Sequence, residues 1–264
     1  MTTPTVLTNS PLSLVLAQVR FPSDVTAFAP ERLPDFDEIM SEQYPMARNE
    51  QEPPLQIQTP AGTIQIGPQQ VRRVYMTSDL GWRVALSNSF ITVYSAKTGD
   101  KIQYQGREDC VHRLEWVVSK LSGYANGVPA ARIGYRYVDV LKMDTLDSIH
   151  NLFQSPTFGL GCHANTPGNE IAALNNDIIL KCEESSHRDS LHVRCSIVPA
   201  GTVLDQSIPP TEDSSWVVDI DSFHDDMVQF KPYDIKNVAL RLANHGHDFF
   251  FNHIITTDFI QMFK

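Results

Sequence analysis

Residues 132–142, RIGYRYVDVLK, form the most regular predicted strand of the chain. β-Branched and aromatic side chains dominate it, and both kinds of residue favour an extended strand. The stretch lies at the middle of a chain of 264 residues, with helix-like sequence on both sides. Its position predicts that one set of elements precedes this strand and that a second, comparable set begins with it.

The first half predicts a strand, a helix, several strands and a long helix. Residues 12–21, LSLVLAQVRF, form the opening strand, and residues 31–44 have apolar side chains at helical spacing. Residues 46–54 are polar and contain a proline pair, which predicts a loop. A hairpin and three further strands are predicted at 55–67, 71–78, 82–88 and 89–96. Residues 107–122, REDCVHRLEWVVSKLS, form the clearest amphipathic helix.

The second half repeats this order of elements. After the strand at 132–142, residues 146–153 predict a short helix. Further strands are predicted at 157–165, 169–184, 190–199 and 215–223. The proline- and serine-rich residues 200–215 predict a long loop, and the last helix is predicted over residues 232–255.

This order of elements predicts an α+β fold with an internal duplication. Each unit is a β-α-β(3–4)-α set, over residues 1–128 and 129–264, and the two units are expected to pack as one compact domain. The natural packing is a curved antiparallel sheet with the helices on one face, because an antiparallel sheet needs cover on one face only. Such an arrangement resembles the TATA-binding-protein-like and helix-grip folds.

Several short motifs carry a resemblance to a known family. They are N-S-P-L-x-x-V-x-x-x-V-R-F-P at 9–22, the helix-like residues 36–45, the Trp82 strand, R-I-G-Y-R-Y-V-D at 132–139 and D-I-D at 219–221. Together they resemble an uncharacterised family of bacterial proteins that is distributed sporadically among species, which we call the sporadically distributed family. The resemblance implies a bacterial or phage-related protein and supplies no catalytic residues. Patchy occurrence is typical of defence and toxin–antitoxin genes.

Composition and charge limit the classes of partner and the compartment. The formal net charge of −10 disfavours generic binding of nucleic acid, because an acidic surface repels phosphates. The four cysteines form no C-x-x-C pair, and the N-terminal segment has no basic region before its short apolar run. No stretch is apolar for long enough to span a membrane. These features predict a reduced, soluble, cytoplasmic protein with no membrane association.

Arginines and aromatic residues supply the candidate binding surface. Arg132 and Arg136, with Arg72 and Arg73, are the best candidates for a local basic patch, although such arginines more often line the solvated face of a strand. The predicted binding residues are Arg132, Tyr135, Arg136, Tyr137 and Trp82. The alternative is that the aromatic side chains pack beneath the helices, and this alternative is favoured.

Catalytic and metal-binding signals are weak. The acidic residues Asp219 and Asp221 are two apart on a predicted strand and so point the same way, with His224 nearby. Such a set can bind a divalent cation and support a metal-dependent hydrolase, but a strand that ends in a polar turn explains the same residues. The sequence contains no nucleophile elbow and no phosphate-binding glycine loop, so neither nucleophilic catalysis nor nucleotide binding is predicted. No metal and no cofactor are predicted, since the polar turn is the favoured explanation of the acidic residues.

Three functional hypotheses remain at this point. The first is a non-enzymatic interaction protein that binds a protein or peptide partner, with an antitoxin, immunity or phage-defence role. The acidic net charge suits a basic partner. The second is a small-ligand binder with an apolar cavity under the C-terminal helix. The third is the metal-dependent hydrolase that uses Asp219, Asp221 and His224.

Overall fold

The computed structural model describes residues 7, 9–52, 55–59, 62–66, 70–99, 101–142, 146–163, 174–182 and 188–264. These residues form an α+β structure on a nine-stranded antiparallel sheet, with a separate two-stranded hairpin. The strands are β1 (Leu12–Arg20), β2 (Met46–Glu52), β3 (Leu55–Thr59), β4 (Gly62–Ile66), β5 (Gln70–Met76), β6 (Arg83–Leu86), β7 (Phe90–Ala96), β8 (Arg132–Lys142), β9 (Leu174–Lys181), β10 (Asp189–Val198) and β11 (Ser215–His224). Residues 164–165, 169–173 and 183–184, parts of two predicted strands, lie outside the described residues.

The two halves of the chain share one sheet. Its strand order is β2-β5-β6-β7-β1-β8-β11-β10-β9, so the RIGYRYVDVLK strand pairs with the first strand at the centre. In that central pair Val15 lies opposite Tyr137 and Arg20 lies opposite Arg132. The strands β3 and β4 form the separate hairpin, as predicted, and residues 60–61 of the turn predicted at 60–62 lie outside the described residues.

Helices cover one face of the sheet, which we call the helix face. The α-helices are α1 (Asp37–Met40), α2 (Arg107–Leu121), α3 (Leu146–Leu152), α4 (Pro232–Phe249) and α5 (Thr257–Phe263). The two long helices, α2 and α4, pack against each other and against the central strands. Their apolar side chains join the alternate strand residues that point the same way, such as Val15, Ala17 and Ile133, in one buried core. No helix of the described residues is long and apolar enough to cross a membrane.

The opposite face carries a second, smaller apolar cluster, and we call it the loop face. Strand residues Leu14, Val138 and Val217 pack there with Leu204 and Ile208. The last two belong to residues 199–214, the connection between β10 and β11, which we call the cover loop. The cover loop therefore buries the loop face of the central strands at these apolar positions.

Three local predictions were wrong, and each has a physical reason. Residues 46–54 were predicted as a loop, but Met46–Glu52 form β2, whose polar side chains pair across strands, as Glu50 does with Arg72. In the described part of the strand predicted at 157–165, the chain forms a 3-10 helix, Ser155–His163, with a positive φ angle at Gly159. The helix predicted at 31–44 is a 3-10 helix that contains Pro34, followed only by the short α1, since proline lacks the N–H that an α-helix needs.

Gly246 allows α4 to approach the sheet closely. A Cβ atom at this position would lie 2.8 Å from the Ser222 Oγ atom and 3.5 Å from side-chain carbons of Ile220 and Tyr137. The Ser222 hydroxyl is buried and has no hydrogen-bond partner in the described part of the chain. The glycine in the last turn of α4 is thus explained by packing, since it costs helix propensity but removes a clash.

We expect Gly246→Ala to lower the free energy of unfolding by about 1 kcal/mol, because overpacking at this contact outweighs the gain in helix propensity. Ser222→Ala removes the atom that the new Cβ meets and also removes an unpaired buried hydroxyl. The double variant should therefore be at least as stable as the wild type. Urea denaturation of the four proteins measures the coupling, and additive single effects would contradict the proposed contact.

Candidate functional site

A groove lies on the loop face, between the central strands and the cover loop. This groove has a volume of about 620 Å³ and is lined by residues of β1, β5, β6, β7, β8 and β11 and by residues 203–207 of the cover loop. Its lining includes four arginines, which are Arg20, Arg72, Arg132 and Arg136, and two aspartates, which are Asp205 and Asp221. The volume falls within the range of about 300–1,000 Å³ that is typical of ligand sites.

The floor of the groove is formed by three cross-strand neighbours that have short side chains or none. Thr92, Gln18 and Gly134 lie side by side on β7, β1 and β8. Gly134 contributes no side chain, and a Cβ atom there would lie 3.4 Å from the nearest Asp221 oxygen. The Gln18 amide donates to the Thr92 hydroxyl at 2.8 Å, which fixes the polar floor. These side chains are shorter than the arginine and tyrosine side chains on either side of them, so the surface of the sheet has a depression at this row.

One wall of the groove is held by Arg132. Its guanidinium lies over the Phe223 ring at 3.8 Å from the ring centroid. The same group donates to Asp221 at 3.0 Å and to Asp225 at 3.2 Å. A stacked guanidinium with two acidic partners has few free rotamers, so the wall is preorganised.

The opposite wall is held by Arg136 and Asp219. Arg136 donates two parallel hydrogen bonds of 2.8 Å to the two carboxylate oxygens of Asp219, and Arg194 donates to the same carboxylate. A third bond, of 3.2 Å, joins Arg136 to Asp205 of the cover loop. Although burial acts in the other direction, Asp219 raises the pKa of Arg136, so the guanidinium stays charged. This network ties the cover loop to the sheet.

Arg20 differs from the other arginines of the groove. Arg72 is paired with Glu50 at 2.8 Å, and Arg132 and Arg136 have the aspartates described above. Arg20 donates to the Gln18 side chain at 2.6 Å, and none of the described acidic residues pairs with it. It lies directly opposite Arg132 on the neighbouring strand. The groove therefore has one guanidinium whose charge is not balanced by a described ion pair.

Two carboxyl groups near this network have raised pKa values. Burial raises the pKa of Asp221 above its ordinary value, while Arg132 and Arg136 oppose that change. Asp139 lies on the other face of β8, opposite Val218 of β11, and is 5% exposed. Burial, together with the charge of Asp219, raises the pKa of Asp139 to about 7. Its carboxyl group has no hydrogen-bond or ion-pair partner among the described residues.

The structure separates the five predicted binding residues. Arg132 and Arg136 line the groove. Tyr135 and Tyr137 alternate with them on β8, belong to the helix-face core and lie beneath the helices. Trp82 is buried in the same core, with the Arg113 guanidinium 4.7 Å from its ring centroid. Tyr135, Tyr137 and Trp82 therefore occupy the positions expected from the alternative interpretation, in which the aromatic residues pack beneath the helices.

The predicted basic patch is divided in the same way. Arg72 lines the groove together with Arg132 and Arg136. Arg73, the next residue of β5, points to the helix face, where its Nε donates to Asp37 at 2.8 Å. Strand alternation sends adjacent residues to opposite faces, so two neighbouring arginines cannot belong to one surface of a sheet.

The three metal candidates do not converge. Asp219 and Asp221 share the loop face, where they accept hydrogen bonds from arginines. His224 points to the helix face, where its Nδ1 lies 2.8 Å from an oxygen of Asp189. Arg241 of α4 donates to the same Asp189 carboxylate at 2.7 Å. The described residues contain no group of three or more potential ligands that could hold a metal ion.

A smaller pocket lies near the C-terminal end of α4. It has a volume of about 240 Å³ and is lined by apolar residues such as Ile178, Val193 and Phe249. Further toward its N-terminus, α4 is packed into the core through Ile235 and Leu242. The pocket is smaller than typical ligand sites, so it gives little support to the hypothesis of an apolar cavity under the C-terminal helix.

Several residues of the groove were missed from sequence. Gln18, Arg20 and Thr92 belong to predicted strands, and alternation with the buried Val19 and Val93 would have placed them on a common face. Asp205 had no such signal, because its position depends on the path of the cover loop. No protein-family model matches the chain, and no curated protein matches it. The resemblance to the sporadically distributed family therefore stays a prediction.

Proposed function

We propose that this protein is a non-enzymatic binding module and that the groove on the loop face receives a short polar segment of a protein or peptide partner. The observation that carries the proposal is the groove itself, about 620 Å³ in volume, with a polar floor at Gln18 and Thr92. Its walls are fixed by ion pairs and by the stacked Arg132. Fixed walls lower the entropy that is lost on binding.

The chemistry of the walls favours a segment that carries one acidic group. Arg20 has no described acidic partner, and Arg132 lies beside it with further N–H donors in its guanidinium. A carboxylate placed between them would accept charge-assisted hydrogen bonds. The net charge of −10 suggested a basic partner, and that expectation applies to the wider surface, while the groove itself favours an anionic group.

The strand order supports an internal duplication as the origin of the groove. Outward from the centre, the first half runs β1-β7-β6-β5 and the second half runs β8-β11-β10-β9. In each half the first strand is central, the last strand lies beside it, and a long helix follows the last strand. This is the order that two β-α-β-α units over residues 1–128 and 129–264 would give, as in the TATA-binding-protein-like folds. A groove at the junction of two units suits an interaction protein, and an antitoxin, immunity or phage-defence role is the biological form we propose for it.

Gly134→Leu tests the proposal, because the new side chain would occupy the groove above the floor. Gly134 has extended backbone, and glycine within a strand is destabilising, so the variant should fold with unchanged or slightly higher stability. The tagged wild type, Gly134→Leu and the surface control Gly123→Leu are purified from the source cells, and bound proteins are identified by mass spectrometry. A Cβ atom at Gly123 meets no atom within 4 Å.

We expect a stoichiometric partner with the wild type and with Gly123→Leu, and its loss with Gly134→Leu. Arg20→Gln leaves the fold untouched, since its guanidinium is exposed, and should weaken retention of the partner by about tenfold. Equal retention by all four proteins would show that the groove is not the binding site. A wild type that retains no protein would overturn the proposed binding role.

A further inference from the structure

The strand β9 forms one edge of the nine-stranded sheet and carries an unusual surface. Among the described strands it pairs only with β10. Three consecutive large apolar residues, Ile178, Ile179 and Leu180, are 41%, 59% and 38% exposed. An exposed apolar edge strand is a template for pairing with another strand, and proteins that leave such an edge uncovered usually have a partner for it.

The hydrogen-bond pattern shows which residues of β9 are available for pairing. The Cys182 N–H donates to the Asp189 carbonyl of β10 at 3.0 Å. In an antiparallel pair every second residue bonds the same neighbour, so the even-numbered residues of β9 bond β10. Residues 175, 177, 179 and 181 therefore direct their N–H and C=O groups away from the sheet. A new antiparallel strand that adds to this edge must therefore form its hydrogen bonds with the odd-numbered residues of β9.

We propose that β9 pairs with β9 of a second copy of this chain, in an antiparallel register centred on Ile179. In this register Asp177 lies opposite Lys181 of the partner copy, and the symmetric pair repeats the contact. Ile179 meets its own copy on the loop face, and Ile178 meets Leu180 on the helix face. Opposite charges across strands and apolar pairs are both favourable.

The alternative registers lack this complementarity. A shift that centres the pair on Asp177 places two like carboxylates opposite each other, which is unfavourable. A shift that centres it on Ile178 places Asp177 opposite an isoleucine and Lys181 opposite Asn175. Self-complementarity in a single register is the property that a two-fold symmetric interface requires. The same strand would then join two sheets into one continuous sheet across the dimer.

Charge reversal tests the register. Asp177→Lys places two pairs of lysines opposite each other, and Lys181→Asp places two pairs of aspartates opposite each other. We expect each variant to weaken dimerisation by about tenfold, and the double variant Asp177→Lys/Lys181→Asp to restore it to within about threefold of the wild type. Sedimentation velocity over a range of protein concentrations measures the dimer dissociation constant of all four proteins.

Ile179→Lys gives an independent measurement, because it places two lysines at the symmetry axis and should yield a monomer. Ile179 is exposed in the single chain, so the variant should unfold like the wild type. A wild type that remains monomeric at about 100 μM would overturn the proposal. Single charge variants that dimerise like the wild type, or a double variant that is not restored, would also overturn it.

Discussion

Asp219→Ala is expected to lower the free energy of unfolding by about 3–5 kcal/mol, because it leaves a buried arginine without its counter-charge. Asp219 has a side chain that is 8% exposed, and it accepts two bonds from Arg136 and one from Arg194. Arg136 is itself largely buried, and its remaining partner, Asp205, reaches only one of its nitrogens. A loss of this size is a large part of the total stability of an ordinary domain.

Asp35→Ala provides a matched control for this variant. Asp35 also pairs with an arginine, Arg32, but the two side chains are 63% and 51% exposed. An exposed pair contributes little, so the control should change the free energy of unfolding by less than about 0.5 kcal/mol. Guanidinium chloride denaturation of the three proteins gives both values. A loss of less than about 1 kcal/mol for Asp219→Ala would mean that the network on the loop face does not stabilise the fold.

Asp139→Asn is expected to gain stability relative to the wild type as the pH rises. The difference in the free energy of unfolding between the variant and the wild type should increase by up to about 4 kcal/mol between pH 4 and pH 8. The pKa of Asp139 is raised from 3.8 to about 7 in the folded chain. Between these values the folded state binds a proton that the unfolded state has lost, so the stability of the wild type falls as the pH rises. Above pH 7 both states are ionised and the fall is complete. The amide of the variant does not titrate.

The measurement is the free energy of unfolding of both proteins by urea at several values between pH 4 and pH 8. Groups that titrate in both proteins cancel in the difference. The difference should grow steadily between about pH 4 and pH 7 and then remain constant. Because the charge of Asp219 contributes to the raised pKa of Asp139, Asp219→Ala should move the upper end of this window to lower pH. A difference that does not vary with pH would show that Asp139 is solvated or paired.

The elements of this fold were predictable where a periodic apolar pattern dominated. The alternation of β8 and the apolar stripe of α2 come directly from side-chain spacing, because burial on a sheet or under a helix imposes that spacing. The polar strand β2 was missed, since Glu50 pairs with Arg48 along the strand and with Arg72 across it, and a hydrophobic pattern does not reveal such charge pairs. Pro34 and Gly159 changed the local helix type for backbone reasons that spacing alone also does not reveal.

The candidate site was predicted in part, for a related reason. The sequence identifies Arg72, Arg132 and Arg136 as candidates for a basic patch, and all three line the groove. Tyr135 and Tyr137 were predicted as binding residues together with them, because the sequence alone does not show which face of β8 the helices cover. Asp205 and Gly134 were not named at all. A groove depends on which side chains are short and on the path of a loop, and both depend on the register between strands distant in sequence.

The central position of β1 and β8 has a consequence for how the chain is made. During synthesis β1 emerges first, but its partner β8 follows only after the whole first half, and Val15 then meets Tyr137. Until that moment one edge of β1 has no strand to pair with. Contacts between such distant segments form slowly because a long loop must close first. A ribosome that stalls near residue 128 would therefore display an aggregation-prone edge, and a chaperone that binds extended apolar strands is the factor expected to protect it.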